Sequence, residues 1–279
     1  MKIDLHMHST ASDGTDAPQK VAQRCAQNEL EYAVLTDHDT IAGSAVFQAE
    51  AQKLGIRTTT GVEFSANSEG ELHILVYGAD TQNAEFCALM AELAQKRNER
   101  VTEMTQRLMD CGCNISHDQV RRYAENGVPG RPHIALALVE SGEAASVDEA
   151  FERYLKVGCP GYVPRLGVYV ERILAVGRAA GGLPVLAHPK LTYAPDFDAL
   201  IHRLKEEGLA GIEAFYPKHE DAECVCFCAL AEKYGLFVTQ GSDYHGVLHP
   251  SVYLGKEGRG QGHPLLLRGI REIFEKKRG

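Results

Sequence analysis

Residues 2–15, KIDLHMHSTASDGT, place histidine at two positions that share one face of a strand. Successive strand side chains alternate between faces, so His6 and His8 project together. Paired imidazoles can ligate a metal, and Asp13 adds a hard oxygen donor where the strand gives way to a loop. The same residue types recur along the chain. LTDHDT supplies Asp37, His38 and Asp39, GVEFS supplies Glu63, ELHILVYG supplies His73, and VLAHPK supplies His188. IEAFYPKH supplies Glu213, Lys218 and His219, and QGSDYHG supplies Asp243 and His245. Burying so many imidazoles and carboxylates without a cation would leave large desolvation costs uncompensated. The set is too large for one tetrahedral zinc. Its mixture of nitrogen and oxygen donors suits a cluster of Mn, Fe or Zn.

Something must bring these residues to one place. Seven β-rich segments carry them, at 3–8, 32–37, 57–65, 72–77, 183–188, 211–216 and 236–242. Helical patterns at 18–27, 41–54, 170–180, 197–207 and 220–234 fall between most of them. Asp16 is placed to cap the first helix, with Pro18 in its first turn, and Gly55 to stop the second. Alternating strands and helices predict an α/β fold, a (β/α)7 barrel with its site at the C-terminal strand ends. The barrel is expected to be distorted, because only residues 66–71 separate the third and fourth strands, a gap for a hairpin and not a helical crossover. Residues 101–160 carry no strand pattern, only helical segments at 103–111, 117–123, 134–141 and 147–154. We therefore expect a metal-binding barrel from 1–100 and 161–279, and a small helical insertion at 101–160 serving as a lid.

Composition narrows the class. A chain of 279 residues, 44% hydrophobic and 24% charged, can bury a full core. No apolar run reaches the roughly 18 residues of a membrane span. The chain enters its first strand with no apolar leader, so a cytoplasmic protein with no membrane partner is expected. A net charge of −9 argues against a duplex-DNA surface but not against a small anionic substrate held through cations. The eight cysteines show no CxxC spacing, and Cys224, Cys226 and Cys228 alternate around a helix, so structural thiols are expected.

Together, DLHMHSTASDG, LTDHDT, GVEFS, HILVYG, LAHP and GSDYHG resemble the PHP (polymerase and histidinol phosphatase) phosphoesterases over roughly residues 1–80 and 180–250. The chain looks most like the TrpH-like branch, whose helical insertion contains a GRPHIA segment, here residues 130–135. Within it the 3′,5′-nucleotide bisphosphate phosphatases are most similar. The resemblance implies one metal held by His6, His8, Glu63 and Asp243. It implies a second held by Glu63, His73 and His188, and a third by Asp13, His38 and His245. Three divalent ions, manganese first with zinc or iron as alternatives, against three ligand carboxylates would leave a local charge of +3.

The implied activity is hydrolysis of the 3′-phosphate of 3′,5′-bisphosphonucleotides, pAp to AMP and phosphate, by a hydroxide bridging two metals. A related branch trims short RNA from its 5′ end, so a 5′-to-3′ exoribonuclease or phosphodiesterase is the alternative. A non-catalytic metal-binding regulatory module is a third reading, and the full ligand set weighs against it. Arg131 and His133 are candidates for substrate contact, since Arg can grip phosphate bidentately. Tyr162 could stack a base and Arg165 could clamp a second phosphate. Lys218 and His219 lie beyond the sixth strand, within reach of the reaction centre, with His219 as general acid. Asp4 and Glu213 are expected behind the ligands, Asp37 and Asp39 as supports or loop caps, and His117, His202, His249 and His263 on the surface.

Overall fold

Among the described residues the aliphatic runs become seven strands: β1 (Ile3–Asp4), β2 (Tyr32–Ala33), β3 (Gly61–Ser65), β4 (His73–Tyr77), β5 (Leu183–Leu186), β6 (Gly211–Phe215) and β7 (Phe237–Gln240). The computed structural model describes all residues except 68–71, 126, 165–166, 257 and 276–279. In it, β1 and β2 form a parallel pair, and the other five strands form one sheet in the order β3-β4-β5-β6-β7. β5, β6 and β7 run parallel, whereas β4 opposes both of its neighbours. That reversal follows from the short connection after β3, which cannot hold a crossover helix.

Among the described residues the seven strands do not form one continuous closed sheet. The two sheets meet through isolated bridges. Leu5 N donates to Gln240 O (3.0 Å) and Asp243 N to His6 O (2.8 Å) on one side, and Asp39 N donates to Glu63 O (3.0 Å) on the other. β1 and β2 also stop short of the expected His8 and Asp37, because side chains take over the ladder bonds. His6 N donates to the Asp4 carboxylate (3.3 Å) and Met7 N to Thr36 Oγ1 (3.1 Å).

Among the described residues ten α-helices flank the sheets: α1 (Pro18–Gln27), α2 (Ser44–Lys53), α3 (Ala84–Asp110), α4 (His117–Ala124), α5 (Arg131–Glu140), α6 (Val147–Ala150), α7 (Val170–Ala179), α8 (Phe197–Glu206), α9 (Asp221–Lys233) and α10 (Pro264–Phe274). Asp16 does not cap α1; its carboxylate instead takes Arg24 (2.6 Å) and the Tyr244 hydroxyl (2.5 Å). The largest departure from expectation is α3, a single 27-residue helix that starts well before residue 103. Asn83 caps it, its side chain accepting from Phe86 N (3.0 Å). The first half buries Phe86, Leu89 and Leu93 in the main core with Ile74, Val76 and Ile173. The second half buries Val101, Met104 and Leu108 in a separate cluster with Ile134, Leu138 and Leu155. Between them the polar run AQKRNER, residues 94–100, breaks the apolar spacing and carries Arg97 across the gap between the two cores. A third cluster, including Met7, Val21, Cys25 and Phe47, lies under α1 and α2. Among the described residues no helix is long and apolar enough to cross a membrane.

Candidate metal centre

Glu63, buried in β3, is the hub of the site. Its Oε2 lies 3.2 Å from His6 Nε2, 3.2 Å from His8 Nε2 and 3.0 Å from His38 Nδ1. Its Oε1 lies 2.7 Å from His73 Nδ1 and 2.9 Å from His188 Nε2. Donor atoms gather into three groups, each within 4.8 Å: His6, His8, Glu63 and Asp243; His8, Asp13, His38 and His245; and His38, Glu63 and His73. The first is the expected set. The second is the expected Asp13, His38 and His245 with His8 added. In the third, His38 stands where His188 was expected, and His188 contacts Glu63 Oε1, the oxygen that His73 also contacts.

These atoms fit cations better than one another. His6 Nε2, His8 Nε2, His38 Nδ1, Glu63 Oε2 and Asp13 Oδ1 are buried without a hydrogen-bond partner, despite their short separations. Buried polar groups are nearly always satisfied, so five such atoms facing a shared space mark a site for positive ions. Without such ions, protons take that role. Burial opposes charge on His8, but Asp243 and Glu63 outweigh it and raise the imidazole to about 10. His6 is likewise raised well above its ordinary value, against burial, by Glu213, Glu63 and Asp243. Burial opposes ionisation of Glu63 too, yet His38, His6 and His73 hold it well below the usual carboxylate range. A metal would displace these protons and take over their partners.

A layer of residues behind the donors fixes their orientation. Glu213 Oε1 accepts from His6 Nδ1 (3.1 Å), so that ring turns Nε2 toward Glu63, and Glu213 Oε2 accepts from His188 N (2.8 Å). A Cβ on Gly241 would lie 2.3 Å from His6 Cβ and 2.5 Å from Glu213 Oε1, so only glycine permits this packing. The Asp4 carboxylate, its pKa pushed up to about 6 by burial, accepts from Ser242 N and Gly255 N and so joins β1 to the loop after β7. Asp37 holds the loop that bears Asp13, accepting from Ser9 N, Ser9 Oγ and Ser12 Oγ at 2.7 Å each. Asp39 accepts from Ser65 N (2.9 Å) and Arg97 Nε (3.0 Å). Asp39, His188 and Asp243 have φ of 55°, 24° and 57°. For residues other than glycine such backbone costs on the order of 1–3 kcal/mol each, and three of the five described non-glycine residues with positive φ lie at the donors, Glu29 and Glu125 lying elsewhere.

Sequence reading did not anticipate Arg97. Its Nη2 donates to Ser65 Oγ (3.1 Å) and its Nη1 lies 3.7 Å from Asp13 Oδ2. Nor did it anticipate Tyr216, whose hydroxyl donates to Asp243 Oδ2 (3.1 Å). Both are long-range contacts that no local spacing encodes.

The expected substrate residues are spread more widely. His133 is buried in the first turn of α5, where its Nδ1 accepts from Gly130 N (2.9 Å) and burial lowers its pKa. Arg131 is half-buried, with its guanidinium 5.6 Å from the Phe151 ring. The insertion sits directly on the Asp13 loop. Val128 N donates to Ala11 O (2.9 Å), and a Cβ on Gly130 would lie 2.9 Å from Asp13 Oδ2. Tyr162 is half-buried, its carbonyl accepting from Arg107 Nη1 (2.9 Å) far along α3 from Arg97. Arg165 lies outside the described residues. Lys218 is exposed, and its charge reaches His249. His249 is not simply on the surface; it is half-buried, its ring 5.7 Å edge-on from His245. His219 is buried, and burial lowers its pKa. Its Nδ1–H donates to Ala214 O (3.0 Å), leaving Nε2 buried without a hydrogen-bond partner. Its ring packs 5.1 Å from Tyr216, which in turn lies 5.5 Å from His188.

The donors open outward on one side. Asp243, His38 and His245 keep 17%, 10% and 9% of their side-chain surface exposed, whereas His6, His8 and Glu63 keep none. An open, buried-floored cluster of nitrogen and oxygen donors is suited to hydrolysis on a substrate entering from that side.

The PHP domain model matches residues 4–171, and the chain belongs to that family. It is a metal-dependent phosphoesterase. It is 31% identical over 277 residues, 98% of this chain and 93% of the relative, to the 5′-3′ exoribonuclease Rnm of Escherichia coli. It is 33% identical over 270 residues, 94% of this chain and 90% of the relative, to the 3′,5′-nucleoside bisphosphate phosphatase of Chromobacterium violaceum. A solved structure from Bifidobacterium adolescentis, described as a candidate metal-dependent phosphoesterase, superposes with a TM-score of 0.89 at 27% identity, covering 97% of this chain and 94% of that one.

Proposed function

We propose that the chain hydrolyses the 3′-phosphate of 3′,5′-bisphosphonucleotides, turning pAp into AMP and phosphate. The observation that carries this reading is the seating of the insertion on the Asp13 loop, with Gly130 against Asp13 itself. That contact brings the segment bearing Arg131 and His133 to the rim of the centre, where a second anionic group on a small substrate would be met. The bisphosphate phosphatase of Chromobacterium violaceum supports the same substrate.

In this reading the nine donors, His6, His8, Asp13, His38, Glu63, His73, His188, Asp243 and His245, hold three divalent ions, manganese first and zinc or iron as alternatives. Bound ions supply Lewis acidity to the phosphoryl oxygens and lower the pKa of water. The chain's own residues do the rest. Glu213 keeps His6 Nε2 turned inward, and Asp37 holds the Asp13 loop in place. Arg131 and His133 grip the 5′-phosphate, with Lys218 at the outer rim, while Tyr162 and Arg165 guide the nucleoside. Burial keeps free His219 neutral, so it gains a proton as the anionic substrate arrives and gives it to the leaving 3′-oxygen. Residues 101–160 act as the lid. The two sheets are taken as one distorted seven-stranded barrel, in a cytoplasmic protein whose eight cysteines are all free thiols.

A second reading, 5′-to-3′ exonuclease action on short RNA, is favoured by the similarity to the Escherichia coli exoribonuclease over nearly the whole chain. Phosphate release from pAp by the manganese-reconstituted protein separates the two. Conversion to 5′-AMP, lost in His8→Ala, is the expected result. No release from pAp, with mononucleotides liberated from a short 5′-phosphorylated RNA, would overturn the proposal.

A further inference from the structure

Beside the donors, between α3 and the residues Val163, Pro164 and Gly167, lies a cavity of about 220 Å³. Arg97 belongs to both places. It lines the cavity, and it also donates to Asp39 and Ser65 and stands 3.7 Å from Asp13 Oδ2. The cavity is therefore separated from the metal donors by one side chain. We propose that it receives the base of the nucleotide whose phosphate lies at the donors; this deepens the nucleotide reading above and rests on it.

Its walls argue for a planar, neutral ring and against a phosphate. Arg97 and Arg100 supply positive charge, but part of their donor capacity is already engaged, Arg97 Nε and Nη2 by Asp39 and Ser65 and Arg100 Nε by the Val163 carbonyl (2.9 Å). What such guanidiniums still offer is a flat cationic face, on which an aromatic base stacks. Leu93, Val163 and Pro164 add apolar wall. Lys96, its ammonium paired with Glu92 (3.6 Å), also lines the cavity, as do Glu99 and Glu103; both glutamates are exposed, would repel a second phosphate, and can accept from exocyclic amines. Pockets for whole drug-sized ligands run to about 300–1,000 Å³, so this cavity suits one base and not a stacked pair. A substrate placed this way would span from Asp13 across Arg97, so Arg97 would be shared between the cavity and the reaction centre.

Filling the cavity tests the assignment. Glu99→Trp and Lys96→Trp place an indole into it from α3, and Thr102→Trp places one into a separate cavity between α3 and α4 as a control. Two readouts are taken: AMP binding by titration calorimetry, and the ratio of kcat/KM for pAp to that for the base-free analogue ribose 3,5-bisphosphate. We expect both cavity variants to weaken AMP binding and to reduce the ratio by about tenfold, with Thr102→Trp changing neither. Retention of AMP affinity and of the ratio in both cavity variants would overturn the base site, as would a wild-type protein that treats the two substrates alike. Failure of the nucleotidase reading looks different. The wild-type protein then releases no phosphate from pAp, while AMP binding still reports on the cavity.

Discussion

Glu63 and Arg97 both lie in the neighbourhood of the donors and are held in place by different means. Glu63 lies within a strand, and five imidazole nitrogens stand within 3.2 Å of its two oxygens. Arg97 lies in the middle of a long helix and reaches the same neighbourhood from outside, through Asp39 and Ser65. Around Glu63 the fold concentrates strain, burial and unsatisfied atoms that a cation would relieve. Around Arg97 the described charged groups Lys96, Arg100 and Glu103 already have partners, and open space lies beyond it. The first arrangement is suited to chemistry and the second to recognition. Substitutions on the two sides should separate accordingly, with rate and metal content lost on one side and substrate preference on the other.

The largest effect is expected at the hub. Glu63→Gln keeps the shape but removes the charge shared by five imidazoles, and should lower kcat/KM by about 10³-fold or more, with matching loss of bound metal on elemental analysis. A folded variant with full metal content and near-normal turnover would remove Glu63 from its central place. One layer behind, Glu213→Gln weakens the grip on His6 without touching a donor. Metal affinity or activity should fall by about 10–100-fold, read from the manganese dependence of turnover.

On the insertion side the effect is smaller. Gly130→Ala sets a methyl 2.9 Å from Asp13 Oδ2 and 3.1 Å from Arg97 Nη1. Turnover should drop by about tenfold, at the scale of one misplaced positioning contact, while circular dichroism stays native. Unchanged kinetics would mean that the insertion is not coupled to Asp13.

The smallest expected signal is one of stability. His8 titrates at about 10 in the fold without cations, against an ordinary 6.5. A pKa raised by folding contributes stability that is full below 6.5 and lost as pH rises through about 10. His6, raised for similar reasons, acts in the same direction. The chelated protein should therefore melt lower as pH climbs from 6.5 to 10, by about 5 °C or more, and added manganese should flatten the slope. A flat profile for chelated protein would show that the imidazoles do not carry the protons in the absence of metal.

The two sides also differ in how plainly the chain announced them. Each donor beside Glu63 lies in or just past a strand, inside a short motif such as HMH, TDHD or SDYH, so residue type and spacing marked it as a candidate, and the family resemblance separated it from neighbours such as Asp37, Asp39 and Glu213. Strand alternation made the α/β class readable, and the short gap before β4 made its reversal readable. The early ends of β1 and β2 were hidden, because Asp4 and Thr36 replace backbone partners with side chains. Arg97 was hidden for a different reason. Its helix crosses from one core to another, and the polar run at 94–100 shows no apolar period where the crossing occurs. His249 read as surface because its neighbour His245 approaches only in the folded chain.

Counting the ions tests the central claim most directly. Chelated wild-type protein titrated with manganese, with bound metal measured after desalting, should take up three equivalents per chain. Asp13→Asn, which disturbs only the group formed with His8, His38 and His245, should take up two. A single equivalent in the wild type, or three retained in Asp13→Asn, would contradict a centre built from three donor groups around Glu63.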